Sequence, residues 1–220
     1  MRSGAVMRVR LAAILLTISG AALAQGADVG LVNLVSGEVT FVPLAGAPGK
    51  VQAFMRVRDG DRINVGTGAQ VRVVFFEGAR QERWQGPASF RAGKGAGEPI
   101  SGQPAEVAKL PAGVPQRIAR VPELMQNAKL GGIQVRGGVT RQQQASLDQQ
   151  EVLREARATY SQMRTEMPGD DITPELFLYA ALHDYLLYDE MRTVVAEMLR
   201  RQPNNEDVKA LDAWVRSRAQ

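Results

Sequence analysis

Between Arg58 and Phe90 the chain reads RDGDRINVGTGAQVRVVFFEGARQERWQGPASF, and Gly60, Gly66, Gly68, Gly78 and Gly86 punctuate it. Alternating β-type runs lie between these glycines, which predicts short strands joined by tight turns. Asp59-Gly60 and Glu77-Gly78 fall where such strands must turn, and glycine takes a positive φ there without a Cβ penalty. Strand alternation sends Val71, Val73 and Phe75 to one face and Arg72, Val74 and Phe76 to the other. Whatever else the chain does, this stretch commits it to a small sheet with glycine turns.

The flanking runs extend the same sheet. Val29 to Val35 and Glu38 to Val42 are two β-rich runs joined through Ser36-Gly37, which reads as a hairpin. Leu44 to Lys50 is a loop of small residues and proline, and Val51 to Val57 returns as strand. Arg80 to Trp84 and Ala88 to Ala92 add two more strands. Six or seven strands with frequent turns imply a small sandwich or rolled sheet. Alanine, glycine and valine dominate, leaving Phe41, Phe54, Phe75 or Phe76, Trp84 and Phe90 as the bulky fillers. Residues 93–104, GKGAGEPISGQP, read as a flexible loop.

The order Gly60-Asp61-Arg62-Ile63, then Gly66 and Gly68 before a strand, then Gly78, then Gly86-Pro87 and Ser89, resembles a FecR-type domain. The likeness spans about residues 29–92, with Glu77 where the family usually has aspartate. It implies a β-fold held by structural glycines and an address in the cell envelope. Membrane-anchored members of that family relay a signal to sigma-factor machinery through an N-terminal cytoplasmic segment. No such segment is recognisable here, so that role is not implied.

The first residues, MRSGAVMRVRLAAILLTISGAALAQ, carry arginines, an apolar run from Leu11 to Ile18 and then Ala22-Leu23-Ala24. This is the pattern of a secretory signal peptide cleaved after Ala24. An uncleaved anchor needs roughly 20 apolar residues, and this run is shorter and broken by Thr17, Ser19 and Gly20. The expected product is periplasmic, has no transmembrane span and, with no cysteine in the chain, depends on its core alone for stability. The formal charge of +4 includes Arg2, Arg8 and Arg10 of the signal. Without them the general basic footprint of a nucleic-acid binder is absent. The remaining charge is uneven: 15 Lys and Arg against 9 Asp and Glu in residues 25–144, then 9 against 14 in residues 145–220. That asymmetry fits two domains.

Residues 105–144 form a Pro/Gly-rich connector in which Pro111, Pro115 and Pro122 favour extended backbone before each of them. Pro122-Glu123 opens a short helix to about Lys129, and Ile133 to Val135 suit one more strand. Val107, Leu110, Val114, Ile118, Val121 and Leu124 favour docking of the connector on the β-domain over a free tether. From Ala145 the period changes to that of helices. One helix runs to Met167 and stops at Pro168-Gly169, and a second starts at Thr173 (N-cap) and Pro174. A third is capped by Asp189 and ends at Pro203, and a fourth begins at Asn204-Asn205-Glu206. The second helix is apolar nearly all round and is expected at the centre of an antiparallel helical module. The second and third helices resemble one tetratricopeptide-type hairpin through Leu178, Leu182, Val195 and Pro203. Tyr179, Met191 and Met198 stand where that family prefers Gly or Ala. The organisation expected is therefore a signal peptide over residues 1–24, a FecR-like β-domain over 25–104, the connector over 105–144 and a helical, TPR-like domain over 145–220. The fold class is α+β.

Few residues offer chemistry. His183 is the single histidine; with Asp184, Asp189 and Glu190 nearby it has the elements of a base with an orienting acid. A helix-surface histidine beside solvated acids has the same sequence and is the commoner outcome. Ser36, Ser89 and Ser101 lie in turn chemistry, with no histidine in their own domain. Asp59, Asp61 and Glu77 lack the dense acidic spacing of a calcium loop. No cofactor and no metal ligand set is read, and the chain is expected not to be an enzyme. Between Arg56 and Arg91 there are seven arginines and no lysine. Arg72, Arg80 and Arg83, with Trp84, are the candidates for a face that binds an anionic partner. The equally simple alternative is that these arginines pair with Glu77 and Glu82, and that Trp84 is buried. The reading is a non-catalytic periplasmic binding or interaction protein whose partner is an envelope protein or an anionic glycan. The alternatives are a structural envelope component that binds polysaccharide or peptidoglycan and, behind it, an envelope hydrolase.

Overall fold

The computed structural model describes residues 26–130 and 147–218. The signal-like segment and the expected strand at Ile133 to Val135 lie outside the described residues. Ten strands are present among those described: β1 (Asp28–Ser36), β2 (Val39–Val42), β3 (Gly49–Lys50), β4 (Arg56–Arg58), β5 (Arg62–Val65), β6 (Gln70–Phe75), β7 (Arg80–Gln85), β8 (Ala88–Ala92), β9 (Gly97–Ser101) and β10 (Glu106–Lys109). They form two antiparallel five-stranded sheets, sheet A in the order β10-β7-β6-β1-β4 and sheet B in the order β3-β2-β5-β8-β9. One apolar cluster fills the space between them. It draws Val32, Val71, Val73, Phe75 and Trp84 from sheet A and Ile63, Val65 and Phe90 from sheet B. Trp84 stacks on Phe90 with ring centroids 4.3 Å apart, so the bulkiest side chain of the sandwich ties its two halves together.

Two strand expectations are corrected. The runs on either side of Ser36-Gly37 do not pair with each other. Ser36 pairs with Gln70 in sheet A, whereas Val39 pairs with Val65 in sheet B. A glycine between two β-runs marks a change of direction, and here the chain uses it to cross from one sheet to the other. The segment expected to be a loose loop contains β9, which pairs with β8. A ladder of backbone hydrogen bonds needs no apolar side chains, and β9 is an edge strand that is mostly exposed. Gly97 passes so close to Trp84 and Phe90 that a Cβ would come within 2.8 and 2.9 Å of their rings. The run Val51 to Val57 is strand only from Arg56 onward. Before it, Phe54 adopts φ 59° and turns its ring away from the sandwich, into a second core.

That second core lies on the outer face of sheet A. Leu31, Phe54 and Val74 pack there against helices α1 (Val114–Ile118), α2 (Val121–Leu130), α3 (Leu147–Glu166), α4 (Thr173–His183), α5 (Tyr188–Arg201) and α6 (Glu206–Arg218). Every residue of α4 from Thr173 to Leu182 is buried, as its all-round apolar sequence requires. Sequence-neighbouring helices α3 to α6 pack in succession, α2 leans on α6, and α1 on α4 and β6. The connector is thus divided: residues 106–109 extend sheet A beside β7, and residues 114–130 belong to the helical layer. Val114, Ile118, Val121 and Leu124 are buried there, while Val107 stays exposed on its edge strand. No helix among the described residues is long and apolar enough to cross a membrane. The architecture is α+β, three layers deep, with sheet A in the middle.

Helix starts also differ in detail from expectation. Thr173 is the first residue of α4, not its cap. Its backbone N–H donates to Asp171 Oδ1 at 2.8 Å, which frees its hydroxyl to face sheet A. The cap position of α5 is Leu187, one residue before Tyr188 opens the helix, and not Asp189. Asn205 does cap α6, its Oδ1 accepting from the N–H groups of Asp207 and Val208.

Of the two turn glycines most exposed to test, Gly60 has φ 87°, a conformation that disfavours any side chain. Gly78 has no positive φ, and the left-handed residue of its turn is Ala79 at φ 43°. Gly78 is required for space instead, because a Cβ built there overlaps the carbonyl oxygen of Gly95. Gly78→Val is expected to lower stability by about 1–3 kcal/mol, as for other overpacked sites. An unchanged urea midpoint for this variant would show that the two turns do not meet.

Candidate functional site

The seven arginines of residues 56–91 separate into two sets. Arg56 pairs with Asp28 and Glu123, Arg58 with Asp28, Arg72 with Asp170 and Asp171, Arg80 with Glu82, and Arg83 with Glu106. Each of these guanidinium groups has at least one carboxylate partner, Asp28 being shared by Arg56 and Arg58. Arg72 and Trp84 are each 1% exposed, so neither lies on a solvent face. Trp84 sits inside the sandwich and donates its Nε1–H to Glu82 Oε2 at 3.0 Å. Arg80 points to the same buried carboxylate, its Nε 2.8 Å from Oε1. Arg72 also faces Arg83 across the ladder, not Arg80. The four residues therefore form no common surface: β7 alternation turns Arg80 and Trp84 inward and Arg83 outward.

Arg72 belongs to a polar junction between sheet A and the helices. A register shift between Val32 and Leu34 leaves Asn33 outside the regular pairing, and such a bulge re-aims a side chain. Asn33 Nδ2 donates to Gln81 Oε1 and to the hydroxyl of Thr173. That hydroxyl donates in turn to Gln81 Oε1, and Gln81 Nε2 to Asp171 Oδ2. Arg72 completes the group, its Nη2 3.3 Å from Asp170 Oδ2 and its Nη1 3.7 Å from Asp171 Oδ2. The loop that carries both aspartates is held by Arg164, which donates to the carbonyl oxygens of Asp171 and Pro168, and by Arg201, which donates to that of Gly169. Both arginines also reach the fully buried Glu175 on α4, at 2.8 and 3.0 Å. Beside this junction a cleft of about 650 Å³ opens between Ser36, Gln52 and Gln70 and the α5–α6 connection. Its amides are largely committed: Gln202 donates to the Asp170 carbonyl oxygen, and Asn205 donates to Gln202 and caps α6.

The remaining candidates for chemistry are paired off in the same way. Asp184 is bound to Arg117 and Arg120, Asp189 faces Arg192, and Glu190 is bound to Arg157. None of these acids is left to orient His183, whose ring stacks 5.9 Å from Trp214. Ser89 and Ser101 bond to each other at 2.9 Å. Asp61 accepts the N–H of Arg58 and closes the Asp59-Gly60 turn, and burial raises its carboxyl above the usual range despite that bond. No group of histidine, aspartate and glutamate suited to a metal ion occurs among the described residues.

Burial lowers the His183 imidazole below its ordinary value of 6.5, with Asp184 opposing the shift and Arg120 adding to it. The unfolded chain therefore takes up this proton at a higher pH than the folded one, and stability falls as pH drops from about 6.5 through the lowered folded value. Above 6.5 both states are neutral and the effect vanishes. Melting temperatures of wild type and His183→Gln, compared at pH 7.5 and pH 5.5, should show a smaller acid loss in the variant. Equal losses would place His183 in solvent.

Two arginines have no such partner. Arg62 on β5 and Arg91 on β8 lie directly opposite each other in sheet B, are both exposed, and their guanidinium groups make no ion pair or hydrogen bond among the described residues. Their neighbours Ile63 and Phe90 point into the sandwich and are fully buried, so alternation fixes both arginines on the outer face. The period around Ile63 and Phe90 carried this signal in the sequence, but the pairing of β5 with β8 did not. No protein-family model, no curated protein and no solved structure matches this chain.

Proposed function

We propose that this chain is a non-catalytic binding protein of the bacterial envelope, exported to the periplasm and engaging its partner through the outer face of a FecR-like sandwich. The observation that carries this reading is the Arg62–Arg91 pair. The chain supplies a carboxylate to each of the other five arginines in the group and leaves these two, side by side, without one. Like charges directly opposite on neighbouring strands oppose folding, and an anionic partner relieves that repulsion while gaining charge-assisted hydrogen bonds. The leader-like start of the chain and the glycine pattern of residues 58–90 support the compartment and the module. The helical layer, covering the opposite sheet, supports the module from behind.

The test is capture from native periplasm with the tagged wild type and with the Arg62→Gln, Arg91→Gln double variant, followed by protein identification and sugar analysis of the eluates. Material retained by the wild type and lost from the double variant is the expected result. Equal retention by both moves the site to the helices, and retention by neither overturns the reading.

A further inference from the structure

The register of sheet B places more than two arginines in order. One row across the outer face runs Val42, Arg62, Arg91, Glu98 from β2 to β9. The next row, two residues along β2, β5 and β8 and three along β9, where the register shifts between Ser89 and Phe90, runs Lys50, Thr40, Asn64, Ser89, Ser101 from β3 to β9. Residues directly opposed in adjacent strands have Cβ atoms about 5 Å apart, and rows two residues apart are separated by about 7 Å. A cationic row thus runs parallel to a row of hydroxyl and amide groups, with Lys50 at its far end. Lys50 is exposed and has no acidic partner among the described residues. Glu98 is the one carboxylate on these rows; it makes no ion pair with Arg91, and its Oε1 lies over Gly93.

From this order, and resting on the binding role proposed above, we infer that the occupant of the sheet B face is a carboxylate-bearing polysaccharide of the polyuronate type. Such a chain repeats a carboxylate beside neutral hydroxyl groups, and the two rows offer the complement of each. The guanidinium groups of Arg62 and Arg91 are spaced to share one carboxylate or to take two successive ones. Thr40, Asn64 and Ser101 offer donors and acceptors to sugar hydroxyls, and the exposed edge of Val42 gives a sugar C–H face something apolar to rest on. Apart from Val42 the side chains of the two rows are polar or charged, so the rows provide no seat for the aromatic or aliphatic anchor on which a tight protein contact depends. Charge complementarity and the hydroxyl row together favour the glycan over an acidic polypeptide.

The experiment uses the purified chain on a biosensor surface with three soluble probes: alginate as the polyuronate, dextran as a neutral glycan and poly-L-glutamate as an acidic polypeptide. Alginate should bind, weakening as NaCl is raised from about 0.05 M to about 0.5 M, and dextran should not. Arg62→Gln with Arg91→Gln should weaken alginate binding at least about tenfold without lowering the melting temperature. Lys109→Gln with Lys209→Gln, which removes the same charge far from this face, should leave binding within about twofold of the wild type. Equal or tighter binding of poly-L-glutamate, or alginate binding that survives the double arginine substitution, overturns the inference. Absence of alginate binding, with native capture still dependent on Arg62 and Arg91, removes the glycan and leaves the binding role standing. Failure of both experiments removes both.

Discussion

Replacing Glu175 with alanine is expected to lower the stability of the protein by about 3 kcal/mol. The carboxylate is completely buried on α4 and is the meeting point of three other groups. Arg164 of α3 lies 2.8 Å from Oε2, Arg201 of α5 lies 3.0 Å from Oε1, and the hydroxyl of Tyr160 donates to Oε1 at 3.3 Å. Removing one partner of a buried ion pair costs about 3–5 kcal/mol, because the charges left behind have lost their water and gained nothing. Here the cations retain some solvent, with side chains 15% and 22% exposed, which sets the expectation at the lower end. Urea unfolding measures it as a reduced midpoint at unchanged slope. A loss below about 1 kcal/mol would show that Arg164 and Arg201 turn out to solvent when the carboxylate is gone.

The second large effect belongs to Arg72. Its side chain is 2% exposed and that of Asp171 is wholly buried, so Arg72→Met leaves a carboxylate in the junction with only neutral donors, Gln81, Asn33 and the backbone N–H of Thr173. The expected cost is about 3–5 kcal/mol. Through Asp171 and the nearer Asp170, Arg72 is also an ionic contact between sheet A and the loop before α4. Its rupture should therefore make the strand and helix signals melt at different temperatures. Arg72→Met combined with Asp171→Asn removes both charges, and the pair should recover about 1–3 kcal/mol relative to the sum of the single changes. Strict additivity would mean that the two side chains do not interact.

The elements that were legible in the sequence are those decided within a few residues. Pro122-Glu123 opens α2, Pro168-Gly169 ends α3, and the i, i+3, i+4 spacing of Met191, Val194, Val195 and Met198 marks the buried side of α5. Choices settled by distant partners were not legible. Gly37 marks a bend equally well for a hairpin and for a crossing between sheets. Residues 97–101 have the composition of a loop but find a free edge of β8. Arg72 looks like a surface cation in QVRVVF until Asp170 and Asp171, about a hundred positions away in the chain, arrive beside it. The cationic character of residues 56–91 was legible; which two arginines stay free depends on acids contributed by four separate elements and one loop.

The position of sheet A between two layers has a consequence for how the chain reaches this state. Its strands are complete once β10 ends at Lys109, yet the outer face that carries Leu31 and Val74 is covered by a helical layer whose fully buried member, α4, begins only at Thr173. Pairings such as Gly30 with Phe75 and Glu106 with Arg83 join distant parts of the chain, and sheets dominated by such contacts form in milliseconds to seconds. A chain delivered from its N-terminus therefore passes through a stage in which a formed sandwich presents a bare apolar face, with Arg72 unpaired and Asn33 bonded only to Gln81. The interval before α4 docks is when this protein is most open to association with copies of itself, and any variant that slows the docking of α4 lengthens that interval even where it leaves the finished structure intact.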